Sequence, residues 1–197
     1  MKKKALIAAL VFAMASATAS ARTTLLQQAI EAAQSATDSA PAGTEASVGF
    51  SPEGSAIRLV MRGINSARSS IHVMAYVLSN RQIIDALASA ARRGLDVRVV
   101  VDYKQNIEED RGGYIRRQLA MLASSGAKVC TVDQFRIMHD KVMILDNRSV
   151  QTGSFNYSKA GATDNSENAL ILWNVPDMAA NYEQHFASRF AICHALQ

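Results

Sequence analysis

Apolar and polar positions follow regular periods from about Val48 onward, and helix-like and strand-like periods succeed one another along the chain. An apolar stripe that recurs every three to four residues predicts a helix, whereas a short, largely apolar run predicts a buried strand. Helices are predicted on this basis at residues 57–68, 81–93, 114–124 and 176–190. Strands are predicted at residues 71–78, 95–102, 128–132, 141–145, 150–154 and 167–173.

The order of these elements indicates the fold class. Helices and strands alternate at first, and later strands follow one another closely. This order predicts an α/β domain with a mixed central β-sheet flanked by helices on both faces. We assign the domain to residues 48–197. Residues 22–47 are poor in aromatic side chains and end in the polar stretch SATDSAPAGTEAS, so we expect a flexible or partly helical lead-in there.

The first 21 residues carry a different pattern. Three lysines follow Met1, residues 5–15 form a short apolar run, and Ala19-Ser20-Ala21 fits a small-x-small cleavage site. This pattern predicts a signal peptide over residues 1–21. An uncleaved membrane anchor is the alternative, but the apolar run is shorter than the roughly 20 residues that a bilayer requires. We therefore expect a periplasmic or secreted protein with no stable membrane association after the leader is removed.

Removal of the leader changes the charge of the chain. The full sequence has 21 Lys and Arg against 17 Asp and Glu, a formal net charge of +4. The leader holds three lysines and no acidic residue, so the exported chain has 18 against 17, or +1. Attraction to a polyanion must therefore come from local patches rather than from a global field. Cys130 and Cys193 are the two cysteines, and in an exported protein they either form one disulfide or remain free thiols.

Candidate chemistry is concentrated in the stretch HDKVMILDNRSVQTGSFN, residues 139–156. Residues two apart on a strand share a face, so His139 and Lys141 point the same way, as do Ser154 and Asn156. Two adjacent strands of a hairpin can bring all four groups around one small volume. Asp146 lies at the turn, at an odd offset from His139, and is expected to support the hairpin rather than to enter that volume.

An imidazole, an ammonium, a hydroxyl and an amide together suit a phosphate group. Lysine neutralises charge, and serine and asparagine hold the non-bridging oxygens. A neutral histidine can attack phosphorus and form a covalent intermediate, which divides the reaction into two steps. Phosphoryl transfer itself depends mainly on positioning and charge stabilisation.

The pattern His139-x-Lys141-x4-Asp146-x6-Gly153-Ser154-x-Asn156 resembles the HKD motif of the phospholipase D superfamily. The segments FSPEGSA, MAY, RGLDVRVVVD and NSENALILWN also resemble the small bacterial secreted endonucleases of that superfamily. The resemblance covers residues 48–190 and implies a phospholipase D-like fold with one HKD motif per chain. It also implies a metal-independent phosphodiesterase, a non-specific endonuclease that acts on DNA through a phosphohistidine, with the choice between DNA and RNA left open.

The resemblance assigns a role to each site residue. His139 is implied as the nucleophile, Lys141 and Asn156 as phosphate ligands, and Ser154 as a residue that lines the pocket. Glu167 is implied to orient His139 through its second ring nitrogen, because a carboxylate fixes the tautomer and stabilises imidazolium. No cofactor or metal is expected, since the sequence has no Cys/His cluster at zinc spacing and no calcium loop.

Members of this superfamily use two motif copies, one histidine as nucleophile and the other as general acid. This chain has one copy, because the other three histidines lack the x-Lys-x4-Asp context. A symmetric homodimer with two His139 residues facing one another is therefore expected. A nucleic acid is the expected substrate; a phospholipase D or transphosphatidylase acting on phospholipid and a non-catalytic nucleic-acid-binding protein are the alternatives.

Overall fold

The computed structural model describes residues 42–196, so the predicted signal peptide and most of the predicted lead-in lie outside the described residues. The strands are β1 (Glu45–Ser51), β2 (Ser70–Ala75), β3 (Asp96–Asp102), β4 (Lys128–Val132), β5 (Lys141–Leu145), β6 (Ser149–Gly153), β7 (Glu167–Trp173) and β8 (His194–Ala195). The helices are α1 (Ser55–Ser66), α2 (Arg81–Arg92), α3 (Tyr114–Ser124), α4 (Lys159–Thr163) and α5 (Pro176–Phe190). A π-helical turn spans Lys104–Glu108.

All eight strands form one sheet in the order β1-β7-β6-β5-β2-β3-β4-β8. Strand β3 is parallel to both of its neighbours, β2 and β4, and the other five pairs are antiparallel. The predicted mixed sheet is thus confirmed. The edge strand β1 begins at Glu45, ahead of the expected domain start at Val48, so the last residues of the predicted lead-in belong to the sheet.

Helices cover both faces of the sheet, as predicted. On one face, α1, α2 and α3 bury residues such as Ile64, Leu87 and Leu122 against β2, β3 and β7. On the other face, α5 packs mainly on β2, β5 and β6 and buries Ala179 and Phe186. Because successive strand residues point to opposite faces, fully buried runs such as Lys141–Leu145 supply both cores. Among the helices of residues 42–196, none combines the length and the apolar character needed to cross a bilayer.

The two cysteines form a disulfide, which decides between the two states that the sequence leaves open. Cys130 on β4 is bonded to Cys193, which follows α5, with the two Cα atoms 5.6 Å apart. The short strand β8 then pairs with β4 beside the bond. The disulfide therefore fixes the end of the chain to the sheet.

Candidate active site

The candidate site lies at one end of the inner strands of the sheet, where β2 and β6 end and where β5 and β7 begin. In the sheet register, Ala75 pairs with Lys141 and Gly153 pairs with Ala169, so these four strand ends are neighbours. A cavity of about 330 Å³ opens there. Its lining consists of His139, Lys141, Gly153, Ser154, Asn156 and Glu167. Five of the six predicted site residues are therefore gathered in one place, and Asp146 is the exception.

His139 is exposed and lies in an irregular segment just before β5. Its sequence neighbours hold the backbone of this segment. The Met138 amide donates to Asp102 Oδ2 at 2.8 Å, and the Asp140 carbonyl accepts from the Tyr76 amide at 2.8 Å. The imidazole is thus presented to the cavity from a fixed backbone and is open to a substrate.

Lys141 is the first residue of β5, and only 7% of its surface is exposed. Its Nζ donates to the His139 carbonyl at 3.0 Å. Burial lowers the pKa of this ammonium, and the nearby negative charges of Glu167 and Asp140 oppose that effect. An ammonium has three protons to donate, so Lys141 keeps donors for the oxygens of a phosphate.

Ser154 follows β6 and offers a hydroxyl proton to the cavity. Its Oγ accepts hydrogen bonds from the Asn168 amide at 3.1 Å and from Asn168 Nδ2 at 3.3 Å. Because both bonds use the oxygen as acceptor, the hydroxyl proton is left to donate to a phosphate oxygen. The preceding Gly153 has φ 143°, and a Cβ there would lie 2.3 Å from the Asn168 carbonyl oxygen, so the chain requires glycine at this point.

Asn156 is half-buried at the start of the turn that leads into α4. Its side-chain Oδ1 is buried and has no hydrogen-bond partner among the described residues. A buried amide oxygen without a partner is costly, so this group is suited to pair with a ligand. The close approach of α4 depends on Gly161, since a Cβ there would meet the Asn156 carbonyl oxygen at 2.3 Å.

Glu167, the first residue of β7, lines the cavity but does not hydrogen-bond to His139. Its Oε1 accepts from Asn165 Nδ2 at 3.0 Å. Across residues 42–196, no hydrogen bond joins the Glu167 carboxylate to the His139 ring. The structure therefore brings the two residues into one cavity, and the orienting role of Glu167 stays a prediction.

Asp146 lies at the opposite end of β5 from the cavity and organises the backbone there. Its carboxylate accepts hydrogen bonds from the backbone amides of Arg68, Ser69 and Ser70 at 2.7–3.0 Å, and from the Ser69 hydroxyl at 2.9 Å. These bonds tie the β5–β6 turn to the connection between α1 and β2. Asp146 is thus a supporting residue of the motif and does not contact the reacting groups.

Tyr76, which sequence reasoning gave no role, contacts both His139 and Lys141. Its ring centroid lies 4.7 Å from that of the His139 ring, at an interplanar angle of 59°, and 5.3 Å from Lys141 Nζ. The sequence feature that could have identified Tyr76 is its position directly after the buried strand β2. Side chains at the carboxyl ends of parallel strands are where α/β sheets bind ligands.

The remaining histidines do not line the cavity. His72 is a buried core histidine, as predicted: its Nδ1 lies 2.8 Å from the Glu183 carboxylate and its ring stacks on Phe186. His185 lies 3.5 Å from Asp140, and His194 is exposed on β8. One chain therefore supplies one histidine to the site. In the part of the chain that the structure describes, no three His, Cys, Asp or Glu side chains cluster as metal ligands do.

Comparison with known proteins places these features in a family. The family described as "Cardiolipin synthase, PLD-like domain" matches residues 60–190, which is more than half of the chain. A protein of Rickettsia bellii named Phospholipase D is 32% identical over 142 residues, which are 72% of this chain and 67% of that protein.

Two solved structures share the fold over nearly their whole length. The crystal structure of Nuc, a phospholipase D family member from Salmonella typhimurium, superposes with a TM-score of 0.74 and 40% identity, and the match covers 78% of this chain and 98% of Nuc. NucT from Helicobacter pylori has a TM-score of 0.69 and 25% identity, with 78% and 99% covered. The chain thus belongs to the phospholipase D superfamily, and its HKD motif builds the site of a phosphodiesterase.

Proposed function

We propose that the protein is an exported, metal-independent endonuclease with little sequence preference. One observation carries this proposal: an exposed His139 imidazole stands beside the buried Lys141 ammonium in a small polar cavity. These groups bind a phosphate and attack it, and they contact neither base nor sugar, so they give no sequence specificity. The 40% identity to Nuc over almost all of that protein favours a nuclease. The Rickettsia relative named Phospholipase D keeps a phospholipid substrate as the second candidate.

In the first step, a ring nitrogen of His139 forms a bond to phosphorus and the bond from phosphorus to the leaving oxygen breaks. Lys141, Ser154 and Asn156 stabilise the charge on the non-bridging oxygens. The leaving oxygen takes a proton from a general acid, which a second His139 supplies. In the second step, a water gives a proton to that second histidine, its oxygen attacks phosphorus, and the bond to His139 breaks.

The second histidine requires a second copy of the chain, and an exposed apolar surface of the sheet supports a contact between two copies. On the face that carries α5, strands β1 and β7 lie beyond the helix. Val48 and Phe50 of β1 are 57% and 51% exposed there, and Val48 pairs with the partly exposed Leu170. Phe50 pairs with Asn168, the neighbour of Glu167, so this surface is continuous with the site. We place the contact between the two copies on this β1/β7 surface.

A charge on this surface is expected to separate the copies. Phe50→Glu should raise the dissociation constant of the dimer by about 10- to 100-fold, because it removes apolar burial and inserts an unpaired carboxylate. Sedimentation velocity over a concentration series measures the shift, and activity should fall in step with the dimer. Met178→Glu, at a position 41% exposed on α5, is the matched control and should leave the mass unchanged. A wild-type monomer with full activity would contradict the dimeric site.

The substrate is tested on the exported form, residues 22–197, in excess EDTA. We expect supercoiled plasmid to be nicked and linearised, and we expect no choline release from phosphatidylcholine vesicles. Added Mg²⁺ should not accelerate the cleavage, because Lys141 and the polar groups of the cavity supply the charge stabilisation. Choline release without DNA cleavage would establish the phospholipid candidate instead, and DNA retention without cleavage would support a binding protein.

Export is part of the proposal and is supported by the disulfide. Disulfides persist in the periplasm and outside the cell and are rare in reducing cytosol. The bond between Cys130 and Cys193 therefore fits the compartment that the predicted leader indicates.

A further inference from the structure

We propose that Tyr76, tethered by Gln105, is a positioning residue that sets the orientation of the His139 imidazole and holds the Lys141 ammonium against its ring. This inference rests on the phosphodiesterase chemistry of the site and not on the choice of nucleic acid over lipid. One aromatic ring contacts both groups, at 4.7 Å from the His139 ring and 5.3 Å from Lys141 Nζ. Tyr76 itself has no role in the two chemical steps.

Tyr76 is fixed through all three of its polar groups. Its amide donates to the Asp140 carbonyl at 2.8 Å, and its carbonyl accepts from Asn106 Nδ2 at 2.7 Å. Its hydroxyl donates to Gln105 Oε1 at 2.7 Å. A side chain held at both ends has little freedom to rotate, so its ring forms a rigid wall of the site.

The tether belongs to a network that also holds the segment in front of His139. Gln105 lies in the π-helical turn, a conformation that is frequent at functional sites. The buried carboxylate of Asp102 accepts from the Gln105 amide at 2.8 Å through one oxygen and from the Met138 amide at 2.8 Å through the other. Asn106, fully buried, bonds to the Asp102 carbonyl as well. The Tyr76 ring is therefore linked to the Asp102 carboxylate through Gln105. The backbone at His139 is linked to the same carboxylate through Met138.

Orientation matters for His139 because its ring has no hydrogen bond within residues 42–196. The tilted packing on Tyr76 is the ring contact that limits rotation of the imidazole. Attack on phosphorus requires a ring nitrogen at about 3–3.5 Å with its lone pair aligned, and a misplacement of about 1 Å can cost on the order of 100-fold in rate. Tyr76 thus preorganises the nucleophile before substrate binds.

The Tyr76 ring also stabilises the positive charge of Lys141. Burial lowers the pKa of this ammonium, and the negative charges of Glu167 and Asp140 oppose that shift. A cation over an aromatic face is further stabilised by the ring quadrupole. The ring therefore favours the charged form of Lys141 and holds the ammonium beside His139.

The phenol of Tyr76 stays neutral under working conditions. Burial raises its pKa, and the negative charges of Glu109 and Asp102 raise it further. A neutral hydroxyl donates to Gln105 and is not a competing base. The ring, rather than the hydroxyl, is thus the part that acts on the site.

The test uses bis(4-nitrophenyl) phosphate, a small phosphodiester that requires neither a DNA groove nor a lipid surface. Tyr76→Leu should lower kcat by about 10- to 100-fold with a small change in KM, because the nucleophile loses its orientation. Tyr76→Phe keeps the ring and should lose no more than about 5-fold, as should Gln105→Leu, which only releases the tether. Tyr114→Leu, which removes a tyrosine 47% exposed on α3, is the control and should match wild type.

The split between kcat and KM separates positioning from a general loss of structure. In Tyr76→Leu, kcat should fall while KM stays near its wild-type value, because the phosphate ligands remain in place and the nucleophile loses its orientation. Tyr76→Phe, which keeps the ring, should retain most of the wild-type kcat. Unchanged kcat in a folded Tyr76→Leu would overturn the inference, as would a Tyr76→Phe variant as impaired as Tyr76→Leu. If the wild-type protein cleaves this diester but not DNA, the nuclease proposal is rejected and the inference about Tyr76 is not affected.

Discussion

His139→Asn is expected to reduce plasmid cleavage by at least about 10⁴-fold while leaving the fold intact. Loss of a nucleophile from a covalent mechanism removes both chemical steps, and such losses reach the order of 10⁶-fold in well-studied hydrolases. His139 is exposed and its ring makes no hydrogen bond within the described residues, so stability should change little. Gel quantification of nicked and linear plasmid measures the loss, and thermal unfolding checks the fold.

The intermediate gives this prediction a sharper form. When wild type is mixed with a labelled phosphodiester and the reaction is quenched rapidly without acid, the protein should carry the label in an acid-labile bond. His139→Asn should carry no label. His185→Asn is the matched control, because His185 lies outside the cavity although it is 3.5 Å from Asp140. It should cleave plasmid and trap label as wild type does. Label that persists in His139→Asn would assign the nucleophile to another residue.

Local periodicity was sufficient to predict the hairpin that carries the motif. The expected strands, residues 141–145 and 150–154, are observed as Lys141–Leu145 and Ser149–Gly153 around the turn at residues 146–148. The expected meeting of His139, Lys141, Ser154 and Asn156 is also observed, but only Lys141 lies on a strand. His139 precedes β5, and Ser154 and Asn156 follow β6, so adjacency of the hairpin strands rather than the period of two brings the four residues together. These are short-range facts of the chain, which explains why the sequence reveals them.

Contacts between distant parts of the chain could not be predicted in this way. Tyr76 reaches His139 only because β2 pairs with β5 across the sheet, and no local pattern encodes that pairing. Similarly, β1 reaches back to Glu45 because it pairs along the whole of β7. The Gln105 tether depends on a π-helical turn that follows β3, and an extra residue in a turn leaves no periodic signal.

Asp146→Ala is expected to lower the free energy of unfolding by about 3–4 kcal/mol. The change removes the acceptor of three backbone amides and one hydroxyl, and hydrogen bonds to a charged group contribute about 1.5–3 kcal/mol each, without full additivity. Asp146 also has φ 54°, a left-handed conformation that costs alanine about 1 kcal/mol more. Asn147→Ala, at φ 52° in the same turn, measures that conformational cost alone.

The pH dependence identifies the carboxylate as the source of this stability. Burial acts to raise the pKa of Asp146, but hydrogen bonds from the backbone of Ser69, Ser70 and Arg68 outweigh it and hold the pKa below its usual value. A carboxyl with a depressed pKa in the folded state stabilises the protein above the unfolded pKa of about 3.9 and loses this contribution as pH falls through the folded value. In denaturant titrations, the gap between wild type and Asp146→Ala should therefore be complete at pH 7 and pH 5 and should narrow below about pH 4, whereas the Asn147→Ala gap should stay constant. If the stability difference for Asp146→Ala does not depend on pH, the backbone conformation of the turn, and not the charge of the motif aspartate, holds the connection between α1 and β2 in place.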